Sequence, residues 1–168
     1  MGAKGTPATV ALARAGVEHR LHEYDHDPAA PAYGLEAAEK LGADPARVFK
    51  TPVAEVAGVR GVPEGESRLV VAVIPVAASL SLKALAAAAG GRKAVMAEPV
   101  AAERATGYVV GGISPIGHRR RLPVLLDGSM QDHATVLVSA GRRGLDVELA
   151  SADLARLTGG VFAELVSA

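Results

Sequence analysis

The sequence predicts a mixed α/β fold, α+β in character: one domain over residues 1–168, with a mixed, barrel-like sheet flanked by helices. Helix-capping signals and β-rich apolar runs are interspersed along the whole chain, with no repeat and no domain-splitting linker. The connections are of hairpin length in some places and helical in others, as a mixed sheet requires. The chain has 168 residues, 49% of them apolar, enough for one real core; with aromatics at 3%, that core must be mainly Ala, Val and Leu.

Each element has its own signal. Thr6-Pro7 reads as N-cap and first helical residue, and Gly16 closes that helix. Residues 17–25 read as a strand. "YGLEAAEKLG" is a short helix ending at Gly42, and Asp44-Pro45 starts a further helical turn. "VFKTPVAEVAG" and "SRLVVAVIPV" are strand candidates, joined across the glycine- and proline-rich "GVRGVPEGES" as a hairpin. Ser81 caps "LKALAAAAGG", and Glu98-Pro99 opens a helix reaching about Ala105. "TGYVVGGISPIGHRRRLP" has the least periodicity. "VLLD" and "ATVLVSAG" are late strands, and Ser151 begins a last helix to about Leu157.

"HEYDH", residues 22–26, matches the zinc-protease pattern H-E-x-x-H. That chemistry needs a helix to bring both histidines to one metal. Gly16 and Pro28 leave room for a short helix at most, and in a strand the histidines would stand about 13 Å apart, at about 3.3 Å per residue. No third ligand is evident, so no metal and no cofactor is expected.

Composition excludes several classes. The chain has 18 basic and 18 acidic side chains and no net charge, which is unlike a DNA- or RNA-coating protein; contact with nucleic acid must be local, and DNA is not an expected partner. There is no cysteine, hence no disulfide, no thiolate metal site and no cysteine nucleophile. No apolar run suits a secretory signal or a membrane span, and the Met1-Gly2 start lacks the basic cluster that would support a myristoyl anchor. A cytoplasmic protein without membrane contact is expected.

Three loops combine polar residues with loop grammar. Lys50-Thr51 places a cation at an apolar strand, as a clamp for a carboxylate, phosphate or oxyanion, or simply as a lysine reaching solvent. "GGISP", with Gly111, Gly112, Ile113 and Ser114, is either a backbone cradle for an oxyanion or a tight turn. Ser114 has no nucleophile elbow and no partner base. Arg119, Arg120 and Arg121 of "HRRRLP", with Arg142 and Arg143 of "GRRGLD", form a candidate phosphate-binding patch or a solvated face.

At these residues the chain resembles the YbaK/ProX family, the Cys-tRNA(Pro) deacylases related to the editing domain of bacterial prolyl-tRNA synthetase. The matching stretches, in order, are "TPA", "YDHDP", "KLG…VFKT", "VVAVIPV", "ATGYVVGGISPIG", "RRRLPVLLD" and "SAGRRGLDVEL". The resemblance implies a compact domain that hydrolyses the ester joining a wrong amino acid to tRNA, chiefly cysteine on proline tRNA. Its partners would be the tRNA acceptor end and prolyl-tRNA synthetase. Lys50 matches the family's essential lysine. Tyr24, Tyr33, Thr51, Ile113 and Asp146 would bind substrate beside Gly111, Gly112 and Ser114, and the five arginines would guide the tRNA. The family's proposed mechanism uses the substrate's own thiol, which removes the need for an enzymic nucleophile. Deacylation of another small amino acid, such as alanine, and non-catalytic binding of aminoacyl-tRNA or the synthetase are the alternatives. Pro52 after Lys-Thr, a long 58–67 loop and Tyr33 where Phe is more usual depart from the pattern and bear on amino-acid specificity.

Overall fold

A computed structural model of the protein describes residues 5–30 and 33–167; the Met1-Gly2 start lies outside them. In chain order the elements are α1 (Pro7–Ala15), β1 (Arg20–Glu23), α2 (Tyr33–Leu41), β2 (Phe49–Lys50), β3 (Val53–Ala57), β4 (Ser67–Pro75) and α3 (Leu82–Ala88). Then follow β5 (Lys93–Met96), α4 (Pro99–Thr106), β6 (Val124–Asp127), β7 (Val136–Arg142), β8 (Leu145–Leu149), α5 (Ser151–Thr158) and β9 (Val161–Ala163).

The caps form as their chemistry dictates. Thr9 N–H donates to Thr6 Oγ1 at 3.1 Å while Thr6 N–H donates to Thr9 Oγ1 at 2.8 Å, and Gly16 ends α1 in the left-handed region at φ 64°. The Thr6 hydroxyl also donates to Ala140 O, tying α1 to β7. The strand expected over 17–25 is the shorter β1. Pro52, which has no N–H to offer a ladder, divides "VFKTPVAEVAG" into β2 and β3.

The strands make two sheets. One is antiparallel in the order β1-β8-β7; the other runs β5-β3-β4-β6-β9, with β2 also paired to β4. In the second, β4–β6 and β6–β9 are parallel and β3 is antiparallel to both β4 and β5. The expected mixed α/β architecture is present, but the two sheets do not close into a barrel. They touch at an isolated parallel bridge, Val48 to Leu137. "LVVAVIP" is apolar throughout because both faces of β4 are covered. Val71 and Val73 join the cluster that includes Leu12, Leu126, Val138 and Leu154, while Val70, Ala72 and Ile74 join the one beneath α3 with Leu85 and Leu165. Among the described residues no helix is long and apolar enough to cross a membrane.

Candidate active site

Where the two sheets meet, a cavity of about 560 Å³ opens. It is lined by Tyr24 from the end of β1, Tyr33–Leu35 at the start of α2, the β2–β3 segment from Val48 to Val53, Met96, Ala97, Pro99 and Ala102, the loop residues Val110, Gly111 and Ile113, and Ser139, Arg142 and Asp146 of β7 and β8. The volume is that of a pocket for a drug-sized ligand, far more than a single amino-acid side chain.

β2 is the hinge of this arrangement. Phe49 points into the core, so the alternation of a strand turns Lys50 outward to the cavity. Gly34 lets α2 lie close above it, because a Cβ there would fall 2.4 Å from Val76 Cγ1 and 3.9 Å from Lys50 Cβ. Thr51 Oγ1 is buried in the cavity wall with no hydrogen-bond partner among the described residues, which suits a hydroxyl that contacts a ligand.

Asp146 is 5% exposed, and burial pushes its carboxyl up to about 6 from 3.8, partly opposed by the charge of His22 across the ladder. The Tyr24 phenol is raised too, by burial first and then by the negative charge of Asp146. A buried acid poised near neutrality in the cavity that Lys50 also lines can bind an ammonium group or trade a proton.

The glycine loop divides in its details. Gly111 and Ile113 line the cavity, whereas Gly112 and Ser114 do not. The N–H of Gly112 donates to Val109 O at 2.8 Å, and a Cβ at Gly112 would strike the Arg142 backbone at 2.9 Å, so this glycine serves close packing. Ser114 is fully buried, and its Oγ accepts from Ile116 N–H at 3.2 Å.

The arginines divide as well. Arg142 lines the cavity, with an ion pair of 3.3 Å to the exposed Glu23, and Arg143 stacks over Tyr33. Arg119, Arg120 and Arg121 are exposed at the far end of α4, where the N–H groups of Arg119 and Arg120 donate to Thr106 and Ala105. The two histidines of "HEYDH" have separate partners, Glu148 for His22 and Glu36 for His26, so they do not share a site. Sequence reading missed Ser139, which lines the cavity and whose Oγ donates to Gly112 O at 3.2 Å. It stands directly opposite Asp146 in the β7–β8 ladder, a pairing that no local signal in the sequence announces.

The aminoacyl-tRNA editing domain family matches residues 28–157, which include Lys50, the glycine loop and Asp146. A protein of Enterococcus faecalis with the provisional name Cys-tRNA(Pro)/Cys-tRNA(Cys) deacylase EbsC is 42% identical over 130 residues, 77% of this chain and 74% of its own length. Among solved structures, one described as a proposed trans-editing enzyme for prolyl tRNA synthetase superposes with a TM-score of 0.79 at 25% identity, over 99% of this chain and 100% of the other. A hypothetical protein with a TM-score of 0.80 and 21% identity, over 96% and 100% of the two chains, supports the fold alone. By family match and by identity, the chain belongs to the aminoacyl-tRNA editing domain family, a family of deacylating enzymes.

Proposed function

We propose that the protein is a trans-editing hydrolase that clears mischarged tRNA, chiefly cysteine on proline tRNA, by substrate-assisted cleavage. One observation supports the reading: Lys50 and the Gly111 loop face the same cavity, and among the described residues no histidine or cysteine lines it, so it holds no Ser-His or Cys-His pair. In this reading the attacking group comes with the substrate. The cysteinyl thiol loses its proton and its sulfur bonds to the ester carbonyl carbon. The bond from that carbon to the tRNA ribose oxygen breaks, and the oxygen leaves as a hydroxyl. Water then opens the resulting thiolactone to free cysteine.

The chain's task is geometric and electrostatic. Holding thiol and carbonyl in contact contributes several kcal/mol. Gly112 N–H is already engaged, so the amides that face the oxyanion are those of Gly111 and Ile113, each such donor worth about 3 kcal/mol. Asp146 takes the substrate ammonium, Thr51 Oγ1 a polar atom of the aminoacyl group, and Lys50 the carbonyl or the adjacent phosphate. Arg142 at the cavity and Arg119, Arg120 and Arg121 beyond α4 steer the acceptor end. With zero net charge the protein holds tRNA loosely, so selection of proline tRNA rests on prolyl-tRNA synthetase as partner.

The test is deacylation of Cys-, Ser-, Ala- and Pro-charged proline tRNA, with and without the synthetase. Rapid release of cysteine alone, faster with the synthetase and slowed about 100-fold or more by Lys50→Ala, is expected. Serine or alanine released as fast as cysteine would defeat substrate assistance.

A further inference from the structure

The sequence groups Arg143 with the arginines that would touch tRNA, but its surroundings are those of a different job. Its guanidinium carbon lies 4.0 Å from the centroid of the Tyr33 ring, and its Nη2 donates to Val110 O at 2.9 Å. The His26 ring meets Tyr33 edge-on, centroids 5.6 Å apart at 64°. Three segments remote in sequence thus converge on one side chain: the start of α2, the loop after α4 and the β7–β8 turn.

Gly111 shows how closely they converge. Its φ is 94°, and a Cβ there would lie 2.5 Å from Arg143 Nε, 2.8 Å from Arg143 Nη2 and 2.9 Å from Tyr33 Cε2. Tyr33, Val110 and Gly111 all line the cavity, whereas Arg143 does not, so it braces the wall from behind. Its neighbour Arg142 does face the cavity.

We propose that Arg143 is a positioning residue: it latches Tyr33 to the Val110–Gly111 loop and so fixes the width of the cavity and the amino acids it admits. A flat guanidinium suits this task because its face packs on the ring while an edge N–H holds a carbonyl. A lysine ammonium has no plane to stack, and so a latch and a phosphate contact predict different results for Arg143→Lys.

The discrimination part of the proposal rests on the editing function above; the latch itself does not. Arg143→Lys and Arg143→Ala are compared with wild type in two arms. The first needs no activity. The chain has only three tyrosines, so the Tyr33 ring resonances can be assigned by NMR with Tyr33→Phe as reference. A latch predicts that both Arg143 variants shift those resonances and speed amide exchange at Gly112, whose N–H donates to Val109 O, with an unchanged overall fold. The second arm is kinetic. KM for Cys-tRNA(Pro) is expected to rise about tenfold in both variants with kcat within about threefold, and release of larger amino acids to increase relative to cysteine. Gly111→Ala should harm wild type more than it harms Arg143→Ala, because part of its clash is with that guanidinium.

An Arg143→Lys protein with wild-type kinetics and Tyr33 resonances would overturn the latch. So would an Arg143→Ala defect expressed only as loss of about one unit from the salt slope of tRNA binding, the signature of a phosphate contact. If wild type deacylates none of the charged tRNAs, the editing reading fails and the NMR arm alone judges the latch.

Discussion

Asp146 and Glu148 stand two residues apart on one face of β8, yet their surroundings drive them in opposite directions. Glu148 accepts from Thr135 Oγ1 at 2.6 Å, His22 Nε2 at 2.8 Å and Arg47 Nη2 at 3.0 Å, and these donors, foremost Thr135, hold it down to about 2. Asp146 faces the cavity with no hydrogen-bond donor to its carboxylate among the described residues, and burial lifts it to about 6. His22 serves both, opposite Asp146 in register and hydrogen-bonded to Glu148. Glu148 is therefore a cross-link between β8, β1 and the turn that carries Arg47. Asp146 is a charge that the fold tolerates at a cost, and such a charge is best explained by what enters the cavity.

The sharpest test of this contrast exchanges each acid for its amide. Asp146→Asn is expected to lower deacylation about 100-fold or more, since a buried ammonium would lose its partner, while leaving the fold at least as stable as wild type. A stability loss with intact activity would reverse the two roles. Next in size, Glu148→Gln should cost about 1–3 kcal/mol, read as a fall of roughly 5 °C in Tm, with activity changed by no more than about threefold.

The pH dependence separates the pair further. Asp146 has a folded value above its ordinary 3.8, so its contribution to stability is fully present below that pH and is lost as pH rises through about 6. Glu148 has a folded value below its ordinary 4.5, so its contribution is present above 4.5 and is lost as pH falls through about 2. Tm measured from pH 3 to 8 should therefore lose its decline between about 4 and 6 in Asp146→Asn and soften its acid-side fall in Glu148→Gln. Deacylation should rise through about pH 6 as Asp146 ionises. The smallest effect belongs to His22→Ala. Arg47 and Thr135 still hold Glu148, so Tm should drop by only about 2 °C. Asp146, without its opposing charge, should then titrate higher, visible by NMR of its carboxyl carbon.

Local rules made much of this fold legible in the sequence. Thr6-Pro7 and Gly16 delimit α1, Ser81 caps α3 through its bond from Ala84 N–H, and Pro99 opens α4. The loop from 107 to 123 was aperiodic and is irregular. β5 and β9 were not anticipated: they have four and three residues, are set by neighbouring strands, and carry too little pattern of their own. In the site, Lys50 stood out as a cation at an apolar strand, Asp146 came from the family resemblance, and both lie on the cavity wall. The differing fates of Arg142 and Arg143, or of Gly111 and Gly112, were invisible because each depends on which remote segment passes within a few ångströms. The Glu148 network was missed for the same reason: His22 and Glu148 are 126 positions apart.

That separation has a consequence for how the protein is born. β1 leaves the ribosome early but finds its ladder only when β8 follows, and the cavity takes walls from both strands as well as from everything between. A nascent fragment that stops short of β8 lacks part of the cavity wall. A chain truncated before residue 145 would lack the acid, the hairpin and the partner of β1 together.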